Sequence, residues 1–358
     1  MNTFGTAFKM TIFGQSHSDA IGVVMEGLPA GLKIDTEALD KFTSRRAPGN
    51  SPTATARKEA DKAEFISGLV DGVTCGAPVC AVIKNGDFRS KDYSKLKSVP
   101  RPSHADYAAF VKYGGYNDIR GGGQFSGRLT APMCIAGGIA LQVLDTMGIK
   151  IGAHISEICG IKDTPFDSLN ICENDFKLCD DFPVISKDAG EKMTNAILEA
   201  KKQGDSVGGI IECAVIGMKA GYGSPMFDGV ENVISRAVFA IPAVKGIEFG
   251  LGFESSRING SRNNDAFCMK DGKVATLTNN CGGILGGITN GMPVIFRAAF
   301  KPTPSIAKEQ DSINLENGED TRLVIEGRHD PCIVPRAVPV VEAAAAIAVL
   351  DMILQNNN

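Results

Sequence analysis

The 358-residue chain contains no tryptophan, five tyrosines and only four histidines. It also lacks an excess of positive charge: 37 Lys and Arg stand against 41 Asp and Glu, for a formal net charge of −4. That balance argues against a general binder of nucleic acid or of acidic membranes, since both need a basic face. Ten cysteines are present, but they form no C-x-x-C motif and no Cys/His cluster. The nearest pairs are Cys75 with Cys80 and Cys172 with Cys179, so no metal site is read. Thiols scattered through a chain of this size are expected to be small buried hydrophobes in a reducing compartment. The opening "MNTFGTAFKM" lacks the apolar segment of a signal peptide. No uninterrupted apolar stretch of the roughly 20 residues that span a bilayer is seen. These absences predict a cytoplasmic protein with neither nucleic acid nor membrane as partner.

What is present is an ordinary globular balance, 43% apolar and 22% charged, with 41 glycines. Short β-like runs recur at 21–28, 77–85, 208–218, 291–300 and 321–327, most of them ending near Gly or Pro. Three stretches read as helices. Residues 36–46 open on an Asp-Thr cap and are amphipathic. Residues 131–148 and 339–354 are Ala-rich and apolar almost all round, the pattern of helices buried on most faces. Both close on Val-Leu-Asp, which hints at a duplicated strand-plus-helix unit. The polar stretch 160–195 reads as a surface excursion. No low-complexity break divides the chain, so one composite α+β domain over residues 1–358 is expected.

Three groups of residues carry chemical interest. His17 in "FGQSHSDAIG" and His104 in "RPSHADY" lie in loop-like settings with polar neighbours, where an imidazole serves as a general acid near neutrality. His154 in "IGAHISEI" reads as structural. Arginine is the second group: Arg45, Arg46, Arg57, Arg101, Arg120 and Arg128 fall within a quarter of the chain, with Arg297, Arg328 and Arg336 late. Many sit in turns and not on helical charge ladders. Guanidinium forks match carboxylate and phosphate, so a small polyanionic ligand is implied. The third group is glycine-rich. "DIRGGGQFSGR" (118–128) sets three successive glycines between arginines, a costly choice unless φ is positive or something lies against the backbone. Its spacing imitates a dinucleotide fingerprint, but the preceding "KYGGYNDIR" is not a buried strand. "FKPTPS" (300–305) offers Lys301, Thr303 and Ser305 either as a phosphate cradle or as an ordinary strand-end turn.

In combination the motifs resemble the chorismate synthase family nearly end to end. "GQSHSDAIGVVMEGLPAG" (14–31), "DIRGGGQFSGRLTAP" (118–132) and "GRHDPCIVPRAVPVVEA" (327–343) carry the likeness. "RPSHAD", "GDSVGG", "AVKGIEFG", "GGILGGITNG" and "KPTPS" follow in family order. The resemblance implies a lyase of the shikimate pathway to the aromatic amino acids. Its reaction is the 1,4-anti elimination of phosphate and a C6 hydrogen from 5-enolpyruvylshikimate 3-phosphate, giving chorismate. Reduced FMN is required without net redox change, and its N5 accepts the C6 proton. By motif, His17 is implied at the leaving phosphate, His104 at the reduced flavin, and Asp330 in relaying the N5 proton. Arg46, Arg57, Arg101 and Arg128 are implied in binding substrate anions. For FMN the matching positions are Gln124, Phe125, Ser126, Ala243, Gly286, Lys301, Pro302, Thr303, Pro304, Ser305 and Arg328. Flavin and substrate are then expected to stack over the triple glycine, with Arg120 and Arg128 flanking a polyanion. The resemblance further implies a β-α-β sandwich, with apolar central helices between antiparallel sheets, assembled as a homotetramer.

The chain departs from the family pattern at Gln15, Ser18, Pro52, Ser103, Gln124 and Phe125. Gln124 removes a positive charge and Phe125 a hydroxyl beside the expected flavin. A flavin reductase is a rival reading that shares FMN but needs a nicotinamide site, and none is evident. An external flavin reductant is therefore expected, with direct use of NADPH left open. A non-catalytic relative is the other rival, and it is disfavoured because both histidines are present.

Overall fold

The computed structural model describes residues 2–47, 61–86, 98–325 and 330–356. Four of the five β-like runs become inner strands of two antiparallel five-stranded sheets. The first sheet runs in the order Thr3–Phe4, Lys9–Gly14, Ala20–Glu26, Val79–Lys84, Glu64–Ser67. Its middle strand shows period-two burial, with Ile21, Val23 and Met25 on the core face. The second sheet runs Val244–Phe249, Val294–Phe300, Gly209–Ile216, Lys150–Ile158, Ile161–Lys162. The fifth run belongs to neither sheet: Glu319–Leu323 pairs with Gln310–Asn314 in a separate hairpin.

Seven α-helices complete the described chain: α1 (Thr36–Ser44), α2 (Asp106–Tyr113), α3 (Thr130–Thr146), α4 (Lys187–Lys202), α5 (Val230–Val238), α6 (Gly260–Asn263) and α7 (Val334–Asn356). The two all-round apolar stretches are α3 and α7, which pack on each other between the sheets. α3 lies on the first sheet and α7 on the second, so the layers are β-α-β. Close approach of the two helices depends on Gly137, where a Cβ would overlap Ala343 of α7. The span Gly127–Thr146, which contains α3, and helix α7 each have the length and hydropathy to cross a bilayer, although neither stood out as a long apolar run. Their burial inside the protein, 94% of the apolar window for α7, accounts for that composition.

α7 begins at Val334, not at 339, and carries Pro339 inside it. A proline in the second turn removes one backbone hydrogen bond, a loss this deeply buried helix tolerates. Two carboxylates on α7 fasten the layers. Glu342 accepts from Arg45, at 2.6 Å, and from the backbone N–H of Ala153, at 3.1 Å. Asp351 accepts the backbone N–H groups of Thr6, Ala7 and Phe8 at 2.7–2.9 Å.

The polar stretch 160–195 is not a simple surface excursion. The side chain of Asp163 is fully buried, and Phe166 and Ile171 pack with Ala214 and Ile295 in a small second core. Asp163 and Glu212 clamp His154, with Nδ1 3.2 Å and Nε2 3.0 Å from the two carboxylates. The cysteines also differ from expectation. All ten are free, but only Cys134, Cys213 and Cys332 are buried, and Cys75, Cys159, Cys172 and Cys179 are exposed. Burial pushes the Cys134 and Cys332 thiols up to about 12, so these two are inert at neutral pH.

Candidate active site

The glycine-rich stretch folds as a short 3-10 turn, Arg120–Phe125, ahead of α3. Gly121, Gly122 and Gly123 all have positive φ, at 58°, 88° and 54°. What lies against them in the folded chain is the protein's own histidines. A Cβ on Gly121 would stand 2.5 Å from Nδ1 of His17, and one on Gly122 would stand 3.2 Å from Nε2 of His104. A Cβ on Gly123 would overlap the carbonyl of Asp118. The triple glycine therefore brings the two imidazoles onto one stretch of backbone.

A cleft of about 630 Å³ opens beside this turn, a volume typical of small-molecule sites. Six cationic side chains among the described residues line it: Arg46, Arg101, Arg128, Lys245, Lys301 and Arg336. Asp330 is the one carboxylate on the same described wall. A mostly apolar segment, Phe239 to Val244, and the run Gln124, Phe125 and Ser126 also line it.

Buried aspartates stand behind the arginines and fix them. Arg101 donates from Nε to Asp106 at 2.7 Å and from Nη2 at 2.8 Å. Asp106 also lies 2.5 Å from Nδ1 of His104. Nη2 of Arg101 also lies 3.0 Å from this Nδ1, but the carboxylate is the closer partner and can only accept, which puts the His104 proton on Nδ1 and leaves Nε2 on the Gly122 side. Burial alone would raise the Asp106 carboxyl, but hydrogen bonds from Arg101 and His104 outweigh it and hold it well below the usual range. Asp61 stands between Arg46 and Arg128. It accepts from Arg46 Nε at 2.7 Å and Nη2 at 2.5 Å, and from Arg128 Nη1. On the third side Arg336 donates to Asp330 at 2.6 Å and to the carbonyl of Arg46 at 2.9 Å.

The "KPTPS" loop forms the far wall. Lys301 donates to the Ser103 hydroxyl at 2.9 Å, and burial together with Lys245 lowers its pKa. Ser305 accepts from Arg101 at 3.3 Å. The Thr303 hydroxyl, among the described residues, is buried without a hydrogen-bond partner, an orphan donor at the cleft. Two residues here, Ser103 and Ala243, take positive φ without being glycine, at 58° and 74°. Backbone strain of that kind is characteristic of binding sites.

Of the residues singled out in the sequence, His104, Asp330, Arg46, Arg101, Arg128, Gln124, Phe125, Ser126, Ala243, Lys301, Thr303, Pro304 and Ser305 all line this cleft. His17, only 7% exposed, lies just behind Gly121. Pro302 belongs to the far-wall loop without lining it. Gly286 is elsewhere, in the turn between Ile284–Leu285 and Ile288–Thr289. Arg57, Arg328 and Pro52 fall outside the described residues. Arg120 is not a cleft residue: it folds back on Asp118 at 2.8 Å, whose carboxyl this pairing lowers. Arg45 and Arg297 likewise turn to Glu342 and Glu248. Sequence reasoning missed Asp61, Asp106, Lys245 and the placement of Arg336. Only Asp106 had a visible signal, two residues after His104.

A family model described as chorismate synthase matches residues 8–354. The chain belongs to the chorismate synthase family. A chorismate synthase of Lancefieldella parvula is 47% identical over 363 residues, covering 98% of this chain and 95% of that protein. One from Dehalococcoides mccartyi is 45% identical, covering 99% and 97%. One from the archaeon Korarchaeum cryptofilum is 43% identical, covering 99% and 97%. A crystal structure of chorismate synthase superposes with a TM-score of 0.77 at 27% identity, over 99% of this chain and 93% of that one. The chain is thus a lyase of the chorismate synthase family, and the β-α-β sandwich is a fold it shares with that relative.

Proposed function

We propose that this enzyme converts 5-enolpyruvylshikimate 3-phosphate to chorismate in the cleft beside the triple glycine, with reduced FMN bound there. The observation that carries this reading is the wall itself. Four arginines and two lysines converge on one cavity in a protein of net charge −4, as a ligand with two carboxylates and a phosphate requires. The far wall fits the phosphate of a flavin nucleotide. Thr303 offers an unpaired buried hydroxyl, Lys301 a cation and Ser305 a second hydroxyl. When bound, reduced FMN supplies the electron density and the base that a poorly acidic C6 hydrogen demands.

The chain's own residues do the rest. Arg46, Arg101 and Arg128, each at most 9% exposed, hold the anionic groups away from water, where charge-assisted hydrogen bonds gain strength. His17 sits at Gly121 as the acid for the leaving phosphate, whose growing charge must be stabilised. His104, with its proton held on Nδ1 by Asp106, presents Nε2 towards the flavin side. Asp330, fixed by Arg336, relays the proton out of the site. The external reductant and the homotetramer belong to the same proposal. Exposed apolar side chains on the hairpin of Phe267–Lys270 and Lys273–Thr276, among them Phe267, Met269 and Val274, support assembly.

The test is chorismate formation measured anaerobically with dithionite-reduced FMN, oxidised FMN and no flavin. Turnover is expected only with the reduced form. Equal rates under all three conditions refute the proposal.

A further inference from the structure

The segment "GDSVGG" (204–209) joins helix α4 to the strand Gly209–Ile216 and lies against the far wall of the cleft. Alternate residues carry the contacts. The carbonyl of Gly204 accepts the backbone N–H groups of Ala307, at 2.9 Å, and of Lys308, at 3.2 Å. The Ser206 hydroxyl donates to the carbonyl of Thr303 at 2.7 Å. A Cβ on Gly208 would overlap the carbonyl of Phe300 and stand 3.0 Å from the nitrogen of Pro302. Residues 300–308 are thus laid along 204–208 in antiparallel sense. Pro302 and Pro304 contribute no N–H group, so the chain around Thr303 has few backbone donors with which to fix itself. Ser206 supplies a donor to this loop, at a residue that lines the cleft together with Lys301 and Ser305.

The backbone of Ser206 is held independently of its hydroxyl. Its N–H donates to Oδ1 of Asp205 at 2.8 Å, and Asp205 in turn pairs with Lys308 at 2.7 Å. The N–H of Val207 donates to the carbonyl of Pro331 at 2.9 Å, and the carbonyl of Gly208 accepts from Cys159 at 3.2 Å. Removing the side chain therefore takes one hydrogen bond from the far-wall loop and leaves the supporting segment in place.

We propose that Ser206 is a positioning residue for anion binding: through the Thr303 carbonyl it fixes the loop 301–305, so that the hydroxyls and the lysine of that loop converge on one phosphate group. It touches no ligand itself. The identity of that phosphate as the flavin nucleotide's rests on the function proposed above, whereas the ordering of the loop does not. A loop ordered in advance spends none of the binding free energy on its own immobilisation. Without the hydroxyl that cost returns, and it falls on the phosphate and not on the flavin ring.

The experiment uses the intact, flavin-free protein. FMN and riboflavin, which differ only in the phosphate, are titrated into the parent, Ser206→Ala and Ser206→Thr. Amide hydrogen exchange over residues 300–308 is followed in each without flavin. The parent is expected to prefer FMN. Ser206→Ala is expected to bind FMN about tenfold more weakly, as the loss of one hydrogen bond implies, with its riboflavin affinity unchanged. Its amides in 300–308 are expected to exchange faster while those of α3 keep the parental rate. Ser206→Thr, which retains the hydroxyl, is expected to restore both. Equal weakening of FMN and riboflavin, or exchange in 300–308 unchanged by Ser206→Ala, overturns the assignment. The two possible failures differ. A parent with no preference for FMN over riboflavin overturns the flavin reading of this wall together with the role of Ser206 in it. A parent that prefers FMN, beside a Ser206→Ala variant that prefers it equally, overturns the Ser206 assignment alone.

Discussion

At the scale of single residues, the site rests on pairs in which a cleft-facing cation or imidazole is backed by a buried carboxylate. Asp106 shows how much such a backing decides. Replacing it with Asn lets the amide donate to Nδ1 of His104 and removes the partner that fixes the tautomer. Asp106→Asn is expected to lose about 10²–10⁴-fold in rate and to alter the limb of the pH–rate profile that depends on His104. A profile of unchanged shape would assign Asp106 a purely structural role. The histidines and glycines were legible in the sequence because motif and loop context single them out. Asp61 was not, since nothing in "ADKAEF" states that Arg46 and Arg128 turn towards it, and Asp106 carried only its place two residues after His104. Arginine number misled in the same way. Arg120, Arg45 and Arg297 share the composition signal but each closes on a carboxylate that does not line the cleft.

At the scale of elements, period-two runs and all-round apolar stretches identified four of the six inner strands and both central helices, because burial writes itself into the sequence. Lys9–Gly14 and Lys150–Ile158, the other two inner strands, escaped notice, and so did helix α4, whose surface is polar. α4, rich in Lys and Glu, buries only a stripe including Met193 and Ile197, and residues 160–195 hide Asp163 beneath a charged exterior. Asp163 is part of a buried network that joins strands Lys150–Ile158 and Gly209–Ile216 to the loop before α4. Burial opposes the charged form of His154, but hydrogen bonds from its ring to Asp163 and Glu212 outweigh it and raise its pKa above the ordinary 6.5. The sign follows from linkage. A raised pKa in the fold stabilises fully below the unfolded value, and that contribution is lost as pH rises through the folded one. For Asp163, whose pKa is lowered, the contribution is instead lost under acid. Urea unfolding of the parent and of His154→Gln should therefore show a stability gap that is constant just below pH 6.5 and narrows above it. A gap that does not change as pH rises past 6.5 would contradict a protonated His154 in the fold.

At the scale of the whole molecule, two sheets closing on α3 and α7 make one continuous core, and the cleft lies at the edge where loops from both sheets meet. Phe253, Phe267 and Met269 are left exposed far beyond what a solvated surface favours. Sedimentation equilibrium of the flavin-free protein is expected to give four times the 37.7 kDa chain mass. A monomer across the micromolar range would contradict the proposed assembly. The central claim is that the two histidines drawn onto the triple glycine serve one reaction from different sides. It is tested most directly by anaerobic single-turnover kinetics of His17→Ala and His104→Ala, read beside the reduced-FMN absorption spectrum. His17→Ala is expected to slow phosphate loss by about 10²–10⁴-fold with the flavin spectrum nearly intact. His104→Ala is expected to slow it and also to disturb the spectrum. Both variants turning over at the parental rate would show that this cleft is not where the chemistry occurs.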